Sequence, residues 1–235
     1  MAKLYCIPTP IAESRAALDQ LPADTVKQVR TLNYFVAENA KSARRFLKQI
    51  DPLRDIQATV IRELNEHTPV TEVEAMLQPI VAGADGGLLS EAGCPGIADP
   101  GALLVALAHR KQVTVVPLIG PCSIVLALMA SGLNGQRFSF MGYLPAQPEA
   151  RERELKLLER RSAQFGETVL WIETPYRAAA MLSSMLRCLQ PQTRVSVCSE
   201  LTGELESIQT QTVAQWKKQA PVLAKARVVF GLLAR

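Results

Sequence analysis

The sequence predicts an α/β fold in two domains, and three observations carry that reading. Apolar runs of strand length alternate with helix-period segments along the whole chain, as successive βα units do. In the first half the alternation is strict, which predicts a parallel sheet with right-handed crossovers. In the second half two runs are joined only by a short polar link through Gly203, which predicts an antiparallel pair and so a mixed sheet. The texture changes near 115–135, and the chain of 235 residues divides most simply into domains of about a hundred residues each, 1–117 and 118–235.

The elements follow in order. "KLYCI" (3–7), "NYFVAE" (33–38), "GGLLS" (86–90) and "VTVVPL" (113–118) read as buried strands bounded by Pro, Gly or polar residues. Helical patterns lie near 40–50, 71–82 and 101–111; Thr71 and Glu74 stand in capping-box spacing, and Asp99, just ahead of Pro100, is an N-cap candidate. The richest apolar run, 115–133, is interrupted by Pro117, Gly120 and Pro121. It reads as strand, turn and a buried helix over 121–132 closed by Gly132, and not as a membrane span. Residues 137–145 read as a strand running into a turn, and 149–165 as a charged helix with Leu155, Leu157, Leu158 and Phe165 on its buried side. Then come a strand at 168–173, a helix near 176–189, strands at 194–200 and 204–211, a short helix near 212–219 and a last strand at 226–234.

Composition narrows the class. Apolar residues make up 48% and charged residues 20%, the pattern of a globular protein. A net charge of +4 permits an acidic partner such as RNA without the charge density of a nucleic-acid-binding arm, and neither DNA nor a membrane is expected. The N-terminus lacks the long apolar core of a secretory signal, so a cytoplasmic location is expected. Five scattered cysteines with no C-x-x-C pair, and two histidines, predict buried reduced thiols and no metal. His67 and His109 read as solvated surface.

The P-loop, the dinucleotide-binding glycine fingerprint, the nucleophile elbow and the zinc-binding H-E-x-x-H pattern are all missing. What remains is four loops, each directly after a strand and rich in Pro with Gly or small residues: 8–13, 90–101, 117–123 and 142–148. Open α/β sheets bind ligands at the carboxyl ends of their strands. Proline stiffens such a loop and glycine lets backbone approach a ligand, so four in one chain favour a pocket over four unrelated sharp turns. Glu38, Glu91, Asp99, Glu173 and Glu200 fall at or just past strand ends, and Arg177 follows Glu173 by four residues. The charge runs at 40–48 and 151–161 read first as solvated faces, with an RNA-facing groove as the sharper use.

Read together, "LYCIPTPIAE", "LLSEAGCPGIADPG", "VVPLIGPCSIVLALMASGL", "RFSFMGYLP", "TVLWIETPYR" and "VCSELTGELESI" resemble the tetrapyrrole methylase superfamily of S-adenosylmethionine (AdoMet) methyltransferases. They are most similar to its branch that methylates a cytidine 2′-hydroxyl in 16S rRNA. The resemblance implies two α/β domains, the second with a mixed sheet, a homodimer, and AdoMet in a cleft between domains. It implies that Ser90, Glu91, Ala92, Gly93, Pro95 and Ile97 hold AdoMet together with Gly120, Pro121, Cys122 and Ser123. Pro10, Met141, Gly142, Tyr143 and Leu201 would line the rim.

The departures from the family pattern are specific. Ala12 and Glu13 stand where relatives carry Gly-Asn, Asn39 to Lys41 where they carry Asp-Thr-Arg, and Glu91 and Cys94 where they favour Asp and Thr. Thr174 and Tyr176 replace a Ser and a His, and Ser199 and Gly203 replace an Arg and a Lys. Relatives often also carry an extra C-terminal helical segment. These changes leave the acceptor open between RNA and a small molecule or modified nucleotide, and a non-catalytic AdoMet-binding protein fits the same loops. Methyl transfer from a sulfonium is an in-line displacement that needs alignment and water exclusion, with no metal or covalent nucleophile. A hydroxyl acceptor also needs a base. Glu173 oriented by Arg177 is the first expectation, and Glu38, Glu91 and Glu200 are the other candidates.

Overall fold

A computed structural model of the chain describes residues 2–12, 17–223 and 225–235, which fold as two compact units, 1–122 and 123–235. In the first unit the elements run β1 (Lys3–Ile7), α1 (Ala17–Gln20), α2 (Ala23–Thr31), β2 (Tyr34–Ala37), α3 (Ala40–Ile50), β3 (Val60–Glu63), α4 (Val70–Val81), β4 (Gly86–Leu89), α5 (Gly101–Arg110) and β5 (Thr114–Pro117). The five strands form one sheet in the order β3-β2-β4-β1-β5, and every neighbouring pair is parallel. The period-2 alternation of strand side chains divides the core between the two faces. Tyr5, Ile7, Phe35 and Ala37 pack with Val29, Leu47 and Ile50, while Leu4, Tyr34 and Val36 pack with Leu77, Ile80 and Leu104. Central β4 begins with Gly86 and Gly87 because nothing larger fits: a Cβ at Gly87 would lie 2.5 Å from Ile7 Cδ1 and 2.7 Å from Phe35 Cδ1.

The second unit continues with α6 (Ser123–Ser131), β6 (Phe138–Phe140), α7 (Pro148–Phe165), β7 (Thr168–Glu173), α8 (Ala178–Cys188), β8 (Arg194–Ser199), β9 (Ser207–Thr212), α9 (Val213–Trp216) and β10 (Val228–Leu233). Its sheet is mixed, in the order β6-β7-β10-β8-β9, with β6 parallel to β7 and the other pairs antiparallel. Trp171 and Phe230 stand opposite each other in the β7–β10 register and stack with ring centroids 5.8 Å apart, at the heart of a single core.

The direction of the strands positions the loops. Five parallel strands bring the segments after Ile7, Ala37, Glu63, Leu89 and Pro117 to one edge of the first sheet. In the second, β7 and β8 are each antiparallel to the β10 between them, so β6, β7 and β8 point the same way. The segments after Phe140, Glu173 and Ser199 therefore share an edge as well.

Several sequence expectations change. The helix expected from Thr71 begins at Val70 with Pro69 as its N-cap and no side-chain cap. Pro69, with φ already set near the helical value, starts the helix, so Thr71 falls inside the first turn. Asp99 does bind the start of α5, accepting from Gly101 N at 2.9 Å and Gly96 N at 2.6 Å, one residue ahead of the formal cap Pro100. On α7, Leu155 and Leu158 are buried, but Leu157 and Phe165 are exposed; the stripe is completed by Arg151, Glu159 and Ser162. All three are satisfied, Glu159 by Gln190 N at 2.8 Å and Ser162 by Glu167 O at 2.7 Å. The strand expected at 204–211 begins only at Ser207, and α2 and β3 were not expected at all. The five cysteines are free, yet only Cys198 is fully buried; the others sit at loop, strand or helix ends and are partly buried.

Candidate functional site

At the carboxyl edge of the first sheet, the segment 90–101 is held by its own backbone. Thr9 N donates to Gly93 O at 2.9 Å and Gly93 N to Thr9 O at 3.0 Å, which ties the loop after β1 to the loop after β4. Ser90 Oγ donates to Gly93 O at 2.6 Å. Gly93 and Gly96 both adopt φ of 80°, and Ala98 adopts 57° without being glycine, a conformation that costs an L-residue roughly 1–2 kcal/mol. The loop after β5 joins them: Cys94 Sγ lies 3.4 Å from Pro121 O, and a Cβ at Gly93 would be 3.5 Å from the same oxygen. Gly120 is packed against Pro8, where a Cβ would lie 2.4 Å from Pro8 Cβ. Three of the four loops singled out from sequence are thus one constellation, with Ile97, Glu91 and Ala92 exposed and Pro10, Ser90, Gly120, Pro121 and Cys122 partly open. Glu13, in the first loop, lies outside the described residues.

Acids gather at the same edge. Glu38, half-buried after β2, has its carboxyl pushed up first by burial and then by Glu91, Asp99 and Glu66. Burial also pushes up Asp99, against the two backbone N–H groups that favour its charge. Glu91 accepts from the Ser42 hydroxyl at the start of α3. The Cys94 thiol is pushed up, chiefly by its hydrogen bond with the Cys122 thiol. Such a carboxyl, half-open and shifted toward neutral pH, is suited to accepting a proton.

In the second unit the segment 141–147 is held by carbonyls. Gly142 O accepts from Ile172 N at 3.0 Å, Leu144 O from Arg177 Nη2 at 2.6 Å, and Ala146 O from Arg151 Nη1 at 3.2 Å. Arg151 is itself buried, its Nε donating to Ser184 Oγ at 3.0 Å. Arg177 Nη2 lies 3.0 Å from Glu173 Oε2, the ion pair expected from their spacing. The Glu173 side chain exposes no surface, and Thr174 N donates to its other oxygen at 2.9 Å. Burial pushes the Glu173 carboxyl up despite Thr174, Arg177 and Arg151. Glu173, the first sequence expectation for the acceptor's proton, is thus held without exposed surface between Arg177 and Thr174. Met141 and Gly142 are partly open and Tyr143 is 53% exposed. Leu201 is buried in the turn after β8, between Glu200 and Thr202, both with positive φ.

Sequence reasoning missed Arg151, which looked like part of a solvated charge run, and Ser42. The residues present suit AdoMet. A loop whose glycines at 93 and 96 let it turn tightly against its neighbours, beside exposed Ile97, leaves an apolar surface for a nucleoside. Gly142, at φ 66°, has nothing within 4 Å of where a Cβ would be, so that segment is open as well.

The family model of the tetrapyrrole (corrin/porphyrin) methylases matches residues 5–216. The ribosomal RNA small subunit methyltransferase I of Vibrio cholerae is 32% identical over 212 residues, 90% of this chain and 69% of the relative. That of Halalkalibacterium halodurans is 29% identical over 222 residues, 93% of this chain and 72% of the relative. Among solved structures, diphthine synthase superposes with a TM-score of 0.66 at 14% identity, covering 99% of this chain and 90% of that one. The methyltransferase CobJ gives 0.63 at 12%, covering 100% and 95%, and both likenesses speak for the fold alone. With the family's sequence pattern spanning both units, the chain belongs to the tetrapyrrole (corrin/porphyrin) methylase family and is an S-adenosylmethionine-dependent methyltransferase.

Proposed function

We propose that the protein transfers the AdoMet methyl group to a ribose 2′-hydroxyl of small-subunit ribosomal RNA, in the cytoplasm and as a homodimer. The observation that carries this reading is the extent of the likeness to ribosomal RNA small subunit methyltransferase I, which runs through 90% of this chain at 32% identity. AdoMet supplies an electrophilic methyl on a sulfonium, so the chain's own work is holding, aligning and removing one proton. Ser90, Glu91, Ala92, Gly93, Pro95, Ile97, Gly120, Pro121, Cys122 and Ser123 would hold AdoMet, with Pro10, Met141, Gly142, Tyr143 and Leu201 at its rim. Glu38 would accept the hydroxyl proton. Glu173 and Arg177 would act at one remove, by fixing the 141–147 segment.

The dimer reading is supported by α6, which is apolar all round yet leaves Val125 54% and Met129 74% exposed, four residues apart on one face. Light scattering giving the mass of one chain would remove it. Among the described residues no helix is long and apolar enough to cross a membrane.

Glu38→Gln tests the proton acceptor. It should lower methyl transfer by about 10²- to 10⁴-fold while calorimetry shows AdoMet affinity unchanged. Because the Glu38 carboxyl is raised, its proton stays on at pH values above the ordinary glutamate range. Transfer in the parent should therefore fall on acidification through that raised value, and this limb should vanish in Glu38→Gln. A fully active variant with the same pH profile would return the role to another acid.

A further inference from the structure

We infer that the exposed face of α3 is the surface on which the protein docks the phosphate backbone of its RNA. This rests on the ribosomal RNA reading above and adds to it a location. The helix has eleven residues, "AKSARRFLKQI", with four cations and no acid. Lys41, Arg44, Arg45 and Lys48 recur at i, i+3, i+4 and i+7, within an arc of roughly 100° on the helix surface. All four are exposed, whereas Ala40, Ala43, Phe46, Leu47 and Ile50 form the opposite, buried stripe.

Two features separate this stripe from an ordinary solvated face. Cations at the start of a helix oppose its dipole, and here the first turn carries Lys41 and no acid. A local choice that works against the helix points to a use outside the fold. The stripe also begins at the proposed site. Asn39 follows Glu38 and caps the helix, its Oδ1 accepting from Lys41 N at 2.9 Å and Ser42 N at 3.1 Å. Ser42 in turn donates to Glu91 of the 90–101 loop. The cations therefore run away from the proton acceptor along a rigid rod of roughly 10 Å between Lys41 and Lys48.

Lys48 Nζ already donates to Pro52 O at 3.1 Å and Arg54 O at 2.7 Å, and Arg45 is engaged as well, so the docking set is Lys41 and Arg44. Every apolar side chain of α3 is buried in the first unit's core, which leaves nothing to insert into a lipid layer and favours a polyanion. A ribose presented to Glu38 has its own phosphodiesters on either side, and these are the anions the stripe would meet.

The experiment titrates an in vitro transcript of small-subunit rRNA against the full chain over a range of KCl concentrations, for the parent and for K41E/R44E. The expected result is at least a tenfold loss of affinity at low salt. The slope of log affinity against log salt should become shallower by about 1.4, as two contacts to single-stranded phosphates predict. AdoMet affinity and the circular dichroism melt should be those of the parent. The milder R44Q should move both RNA readouts the same way by a smaller step. An unchanged slope in a parent that does methylate the rRNA would overturn the docking surface and leave the proposed function standing. A parent that places no methyl group on RNA would overturn the function as well. Loss of binding to phosphatidylserine vesicles with RNA affinity intact would reassign the stripe to a membrane surface.

Discussion

The 90–101 loop of the first unit and the 141–147 segment of the second are held in shape by opposite means. The first is shaped by what is missing: glycines at 93 and 96 take left-handed angles, and neighbouring loops close against it through backbone pairs such as Thr9 with Gly93. The second is shaped by long side chains that come from elsewhere. Arg177 and Arg151 reach Leu144 O and Ala146 O, and the buried Glu173 fixes Arg177. A backbone-built loop depends on its residues staying small. A side-chain-built one is only as firm as the charges behind it, so substitutions should hurt the two for different reasons.

The largest effect is expected from Arg177→Ala, which leaves the Glu173 carboxylate buried without its partner and frees Leu144 O. Removing one member of a buried pair costs about 3–5 kcal/mol, and denaturant melts should show it. AdoMet affinity should fall as well, and Arg177→Lys should restore it only in part, because an ammonium lacks the planar fork. A variant as stable as the parent would mean that the segment does not depend on the clamp. Gly120→Ala comes next: its Cβ would lie 2.4 Å from Pro8 Cβ and 2.7 Å from Pro8 Cγ, a stiff ring that cannot swing aside. Overpacking of this kind costs about 1–3 kcal/mol, and calorimetry should find AdoMet affinity lowered along with it. The smallest effect should be a gain. Ala98→Gly relieves the left-handed strain and should raise stability by up to about 1 kcal/mol, the net of that relief and glycine's added chain entropy. A loss there would show that Ala98 makes a contact outweighing its strain.

The same contrast explains what was legible in the sequence. Backbone-built features announce themselves locally: the Pro- and Gly-rich loops after β1, β4 and β5 were readable as one constellation because their composition and their place after strands are both in the string. The Glu173–Arg177 pair was readable from its spacing, but its burial was not. Arg151 was hidden in a run of charges, since its partners Ser184 and Ala146 lie 33 and 5 residues away. For the same reason α7 was turned wrongly: with Arg151, Glu159 and Ser162 satisfied inside, Leu157 faces out. Strand β3 escaped because it is an edge strand whose residues are mostly exposed, so it lacks the apolar alternation that marks a strand. The shared edge of β6, β7 and β8, which gathers Met141, Arg177 and Leu201, depends on pairing through β10 and has no sequence signal.

The central claim is methyl transfer to ribosomal RNA, and one labelling experiment tests it directly. The protein is incubated with AdoMet carrying a tritiated methyl group and offered small-subunit particles, small-subunit rRNA and a small-molecule cell extract in separate reactions. The account predicts label in the RNA of the first two, retained at an internucleotide linkage that resists alkaline hydrolysis because its 2′-hydroxyl is blocked. Label confined to the small-molecule extract, or RNA label released as ordinary mononucleotides methylated on the base, would contradict it.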